Sequence, residues 1–191
     1  SETTRQVVAE AVKAAHEAGT IVSYDLNFRS KLWSSKDAIA TTKPLVPYID
    51  CLIGNEEDFE QVLGYEAEGV DVHKAGALDV GPFKKMVERV VKDYKNIKVV
   101  GTTLRGVKTA TINDWSAIMW ADGKFYDGLN LPKLEIEDRV GGGDVCAGAP
   151  VQAASRAVEA NRSVRFNGAS FGGFERNWLA RPDSQTAMVF R

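Results

Sequence analysis

The hydrophobic pattern of this chain switches repeatedly between a helical and an extended period. From about Thr4 to Ala18, the residues Val7, Val8, Ala11, Val12, Ala15 and Ala18 fall at helical spacing, and Gly19 stands where a C-terminal cap belongs. Ile21 to Tyr24 predict a short buried strand that ends in Asp25-Leu26-Asn27-Phe28-Arg29. Asp37 to Leu45 is helix-like and is stopped by Pro44 and Pro47; Cys51-Leu52-Ile53 is a second strand; Asn55 opens a helix that reaches Leu63 and stops at Gly64. The stretch from Gly64 to Gly81 carries four glycines and no period, which predicts a surface excursion. Pro82 in a first helical turn, followed by Phe83, Met86, Val87, Val90, Val91 and Tyr94 on one face, marks the clearest amphipathic helix, and it feeds a strand from Ile97 to Thr102. Thr109 to Ile112, Ala117 to Trp120 and Lys124 to Tyr126 then read as short strands, with Asp122-Gly123 as a hairpin turn. A helix is expected after Asp144, disturbed in its second turn by Pro150.

Helices alternating with strands over short links imply an α/β fold with a parallel sheet covered on both faces, whose ligands bind beyond the carboxyl ends of the strands. Asn27 and Arg29 follow the first strand, Asn55 to Asp58 the second, and Thr103 to Lys108 the third, so residues scattered in sequence should converge. Composition narrows the chemistry. The 191 residues are 44% hydrophobic and 26% charged, enough for one full core, and the net charge of −2 argues against a nucleic-acid surface. Phosphate chemistry would therefore rest on local positive charge and backbone donors. Cys51 and Cys146 lie in apolar surroundings and read as reduced thiols. No apolar run approaches a membrane span and the first residues lack the apolar core of a signal peptide, so a cytoplasmic protein is expected. His16 and His73 have no partner at metal-ligand spacing, and Trp33, Trp115, Trp120 and Trp178 read as core or rim packing.

Asp138-Arg139-Val140-Gly141-Gly142-Gly143-Asp144 carries the strongest chemical signal. Three glycines present backbone N–H groups with no side chains in the way and hand over to a carboxylate. Such a loop at a helix start can cradle phosphate oxygens while the carboxylate takes a proton from an attacking hydroxyl. Taken alone, it is equally a glycine-rich turn with Asp144 as an N-cap.

Asp25 to Arg29 with Lys31-Leu32-Trp33, Gly54 to Glu60, Thr102 to Ala110 and Asp138 to Asp144 together resemble the ribokinase-like (PfkB) carbohydrate kinases, and within them the 2-keto-3-deoxygluconate kinases. Order and spacing match the C-terminal half of that family over roughly residues 5 to 148. The resemblance implies a ribokinase-like three-layer fold with a mainly parallel central sheet, in which residues 1–191 form the C-terminal part of the kinase domain and the N-terminal strands and lid are missing.

It also implies roles. Asp144 would be the base for a primary hydroxyl attacking the γ-phosphate of ATP, and Gly141, Gly142 and Gly143 the donors to the transferring phosphoryl group. Arg29, Asp144 and Asp183 would touch the sugar or sugar acid. The nucleotide would lie along Asn27, Phe28, Arg29, Thr103, Leu104, Arg105, Gly106, Val107, Lys108 and Asn167, besides the three glycines. Mg2+ would be reached through water from Asn55 and Asp58, although acidic residues at a helix start are explained equally well by the helix dipole.

The sequence departs from the family in three places: the absent N-terminal layer, Asp58 where the family's Asn-x-x-Glu motif has its glutamate, and Val145-Cys146 in place of Ser-Phe after the base. The expected activity is ATP-dependent phosphorylation of a sugar or sugar acid, with 2-keto-3-deoxygluconate as the leading substrate because a fixed guanidinium favours an anion. A neutral-sugar kinase of the fructokinase or ribokinase kind, or a non-catalytic nucleotide-binding fragment, are the alternatives. Exposure of apolar sheet by the missing layer would favour a homo-oligomer.

Overall fold

The computed structural model describes residues 1–68, 79–109, 111–128, 130–135 and 187–190. Its elements run α1 (Glu2–Glu17), β1 (Ile21–Asp25), α2 (Ser35–Thr42), a 3₁₀ helix (Lys43–Tyr48), β2 (Cys51–Asn55), α3 (Glu56–Leu63), α4 (Gly81–Asp93), β3 (Val99–Val107), β4 (Ile112–Ala121), β5 (Lys124–Asp127), β6 (Leu131–Glu135) and β7 (Ala187–Phe190).

Local chemistry explains the helix boundaries. Ser1 caps α1 by accepting the Thr4 N–H, Ser34 caps α2 by accepting from Asp37, and Asn55 caps α3 by accepting from Asp58. Gly64 closes α3 at φ 74°, a left-handed conformation that costs glycine little and other residues much. Pro44 and Pro47 do not simply stop α2 at Leu45. The α-helix ends at Thr42, and the chain tightens into the 3₁₀ helix, in which Pro47 sits.

The strands form one seven-stranded sheet in the order β5-β4-β3-β2-β1-β7, with β6 also paired to β4. Pairing is parallel among β7, β1, β2 and β3, and antiparallel from β3 onward. The parallel expectation therefore holds for β1, β2, β3 and β7 and gives way where the β3–β4 and β4–β5 hairpins take over. One register row, Tyr24-Leu52-Val100-Trp120-Phe125, runs across five strands on the face against which α1 to α4 pack. Val12, Phe59, Val62, Met86 and Val90 supply the helical side of that core. All the described helices cover this one face. On the opposite face, Cys51, Val99, Met119 and Ala121 form a second, smaller buried cluster. Cys51 is a free, buried thiol, and burial pushes its pKa up to about 11, as expected of an inert structural cysteine.

Two readings of the β3–β4 region change. Thr109 to Ile112 and Ala117 to Trp120 are not two strands; a single strand, β4, runs from Ile112 to Ala121, and Thr109 belongs to the preceding turn, where its Oγ1 accepts the Ile112 N–H at 2.9 Å. β3 continues to Val107, so Thr103 to Val107 is ladder rather than loop. Each residue from Val99 to Val107, Gly106 included, pairs with β4. Strands β6 and β7 were not anticipated. The expected glycine-rich excursion and the helix after Asp144 lie largely outside the described residues.

Candidate active site

The site begins where β1, β2 and β3 end. Leu26 extends β1 by donating its N–H to the Ile53 carbonyl at 2.8 Å, and the chain then turns at Asn27, whose φ of 34° is left-handed. Asparagine tolerates that conformation better than most residues, which accounts for its place at this corner. The turn delivers the Phe28 N–H to Asp58 Oδ1 at 2.8 Å. Asp58 Oδ2 accepts the Asn55 N–H at 2.9 Å, while Asn55 Oδ1 accepts the Asp58 N–H at 2.8 Å. This reciprocal capping box satisfies the first turn of α3 and fastens the loop after β1 to it. Gly54 permits the approach, since a Cβ there would stand 3.1 Å from Asp58 Cβ and 3.2 Å from Leu26 Cδ1.

Electrostatics follow from burial. Asp58 is raised above the ordinary carboxylate range chiefly by desolvation, with the Asn55 and Phe28 N–H groups and the positive charge of Arg29 working the other way. Glu56 is pushed up to about 7 by burial, partly opposed by Arg105. Its Oε2 is buried and receives no hydrogen bond among the described residues. Arg29 is exposed, and its guanidinium donates to the neighbouring Phe28 carbonyl at 2.8 Å.

Register brings the third segment alongside. Asn55 pairs with Thr103, so the β3 extension from Thr103 to Val107 starts level with the capping box. Leu104 is fully buried on the helix side, whereas Arg105 and Val107 are exposed. Lys108 is committed: its Nζ lies 2.9 Å from Asp114 Oδ2, and Asp114 Oδ1 accepts the Lys133 N–H at 2.7 Å. Those two contacts hold Asp114 below the usual carboxylate range.

Asn27, Phe28, Arg29, Asn55, Asp58 and Thr103 thus meet at adjacent strand ends, with Leu104 to Lys108 leading away along the β3–β4 ribbon. Gly141, Gly142, Gly143, Asp144, Asn167 and Asp183 lie outside the described residues. The sequence reading passed over the burial of Glu56, which it took for one of several acids at a positive helix end. It gave Asn113 no role and read Trp115 as core or rim packing, and only the β3–β4 register sets the two on one face with Arg105.

The residues present admit a metal only at a distance. Asn55 Oδ1 and both Asp58 oxygens are engaged by backbone N–H groups, each oxygen keeping a lone pair that could reach a hydrated ion. No group of three His, Cys, Asp or Glu side chains able to hold a metal directly occurs among the described residues.

Known proteins share this architecture. A 2-dehydro-3-deoxygluconokinase from Thermotoga maritima superposes with a TM-score of 0.68 at 37% identity, over 80% of this chain and 44% of that one. The chain has the ribokinase-like α/β fold. A PfkB family carbohydrate kinase from Listeria grayi shares the fold at a TM-score of 0.60 and 22% identity, over 86% of this chain and 45% of that one. In sequence, a 2-dehydro-3-deoxygalactonokinase of Haloferax volcanii is 43% identical over 68 residues, which are 36% of this chain and 21% of that protein. A 5-dehydro-2-deoxygluconokinase of Clostridium perfringens is 26% identical over 167 residues, 87% of this chain and 43% of that protein. The chain therefore spans less than half the length of each of these four relatives. No family model matches it. No helix among the described residues is long and apolar enough to cross a membrane.

Proposed function

We propose that residues 1–191 form the C-terminal part of a cytoplasmic, ATP-dependent kinase that phosphorylates the primary hydroxyl of a sugar acid. The supporting observation is the joint one: a 37% identical sugar-acid kinase shares the fold, and the strand ends at Asn27–Arg29, Asn55–Asp58 and Thr103 stand side by side where an α/β sheet binds its ligands. In this reading Asp144 accepts the proton of the attacking hydroxyl, and Gly141, Gly142 and Gly143 donate to the transferring phosphoryl oxygens. Arg29 faces the sugar acid's carboxylate, with Asp183 on the sugar, and Asn27, Phe28, Thr103 to Lys108 and Asn167 follow the nucleotide. ATP supplies the phosphoryl group, and Asn55 and Asp58 address its Mg2+ through water. The substrate is 2-keto-3-deoxygluconate, in keeping with the acids named for the similar kinases.

The test is ADP release with ATP, magnesium and a panel of sugars and sugar acids. 2-Keto-3-deoxygluconate should be preferred to fructose and ribose, and Arg29→Ala should raise KM for the acid far more than for a neutral sugar. Asp144→Asn should keep ATP binding and lose about 10²–10⁴ in rate, the usual contribution of a general base. Retention of more than about a tenth of the parent rate would remove Asp144 from that role. A second reading has its own support, because the chain matches only 44% of the Thermotoga kinase. It is a unit that binds ATP but turns over poorly by itself, and it predicts thermal stabilisation by ATP without ADP release.

A further inference from the structure

Polar atoms without partners gather on one face of the β3–β4 ribbon. The ladder sets Arg105 opposite Trp115 and Val107 opposite Asn113, so these four share the face turned away from α1 to α4, as Asn55 and Thr103 do. Asn113 is only 2% exposed, yet its Nδ2 finds no acceptor among the described residues, and Trp115 Nε1 is buried in the same state. A buried donor that makes no hydrogen bond has lost its water and gained nothing in exchange, so an apolar residue of similar shape would suit either position better if packing were the whole purpose. Arg105 makes no ion pair within 4 Å among the described residues, although Glu56, whose Oε2 is also buried and unpartnered, lies within its electrostatic reach.

We propose that Arg105, Trp115 and Asn113 form an oxyanion-binding subsite at the carboxyl ends of β2 and β3, and that Glu56 is a positioning residue that steadies the Arg105 guanidinium from the β2 side. The donor set defines the ligand. Guanidinium and indole offer N–H donors and no acceptor, and the free atom of Asn113 is its amide nitrogen, so the group they suit accepts hydrogen bonds without donating them. A phosphate or a carboxylate has that character, and guanidinium binds either one through two parallel bonds. Glu56, at the first position of α3 beside Asn55, can take the N–H groups of Arg105 that face away from the ligand. The proposal rests on the phosphotransfer reading for its choice of probes: the oxyanion is either the nucleotide's phosphate tail or the substrate's carboxylate.

Calorimetric titration of the whole chain with inorganic tripolyphosphate, ATP, adenosine and 2-keto-3-deoxygluconate separates these sources. Arg105→Gln should weaken the anion that occupies the subsite about tenfold or more, and Trp115→Phe and Asn113→Leu about two- to tenfold each, with adenosine unchanged. Loss confined to tripolyphosphate and ATP identifies the phosphate tail, and loss confined to the sugar acid identifies the carboxylate; both support the subsite. Glu56→Gln should weaken the same anion by less than Arg105→Gln, and the double variant should lose no more than Arg105→Gln alone. Asn113→Leu should also raise the Tm of the ligand-free protein, because it removes an unpaired buried donor. A lowered Tm with unchanged affinities would make Asn113 structural. Affinities for all the anions within about twofold of the parent in every variant, or a parent that binds none of them, would overturn the subsite. Tripolyphosphate binding with no ADP release for any sugar would instead defeat the kinase reading and leave the subsite standing.

Discussion

The two ends of the sheet use polar residues in opposite ways. At the amino ends, Asp50 joins three strand starts: Oδ2 accepts the Val22 N–H at 3.0 Å, Oδ1 meets Lys98 Nζ at 2.7 Å, and its backbone carbonyl accepts the Lys98 N–H at 2.8 Å. Asn96 Nδ2 donates to the Val46 and Ile49 carbonyls, both at 2.7 Å. These side chains are satisfied by the protein itself, and they fix where β1, β2 and β3 begin. At the carboxyl ends, Glu56 Oε2, Asn113 Nδ2 and Trp115 Nε1 are buried without partners among the described residues. One end is closed chemically and the other is open. The open end coincides with the place where the sequence put its candidate ligand residues. Unpartnered atoms are not confined to that face, since Thr42 Oγ1 at the end of α2 and Thr102 Oγ1 on the helix-covered side of β3 are others among the described residues.

The contrast can be broken at the closed end first. Asp50→Ala leaves the buried Val22 N–H without an acceptor and removes the Lys98 contact, so a loss of about 2–4 kcal/mol is expected from urea midpoints. A loss under about 1 kcal/mol would mean that the strand starts are held by packing alone.

At the open end the sign should reverse. The folded pKa of Glu56, pushed up to about 7, lies above its unfolded value, so the folded state holds the proton more tightly. The associated stability is present below the ordinary glutamate range and is lost as pH rises through about 7. Glu56→Gln should therefore stabilise the protein at pH 8 by about 2 kcal/mol and flatten the pH dependence of stability between pH 5 and 8. Destabilisation at pH 8 would show that the attraction of Arg105 outweighs the desolvation of the Glu56 carboxylate.

Two smaller effects sharpen the boundary between the ends. Asn55→Ala removes one half of the capping box and should cost about 1 kcal/mol, with Asn55→Asp close to the parent. If both variants cost the same, the cap is not what holds α3 against the loop after β1. Lys108→Met should cost less, about 0.5 kcal/mol at pH 7, because the lysine is partly exposed. Its contribution depends on ionised Asp114, whose pKa is lowered, so that stability is present above the ordinary carboxylate range and is lost as pH falls through the folded value. Parent and Lys108→Met should then converge in urea midpoint as the pH is lowered; a gap that persists would assign the effect to packing by the lysine stem.

The helices were legible because each carries its own signals. Val12 and Ala15 on α1, Phe59 and Val62 on α3, and Phe83, Met86, Val87 and Val90 on α4 occupy the stripes that are in fact buried, and Asn55 and Gly64 mark the observed ends of α3. Helix formation is decided within a few residues of chain, and one strand of sequence contains all of them. The strands after α4 were less legible because a ladder is made between segments. Gly106 breaks the local strand pattern, yet β4 supplies it a partner in Asp114 and the ladder continues. Nothing near Glu56 in sequence separates it from Glu57, which is exposed. Their difference comes from where the start of α3 sits against β3. Likewise, Asn113 and Trp115 acquired their shared face with Arg105 only through pairing across a turn. The sequence by itself determined the helical faces, the caps and the set of residues at the strand ends, since these depend on neighbours along the chain. Only the tertiary structure decided which polar atoms are buried without partners, because desolvation depends on what other segments bring to the same place.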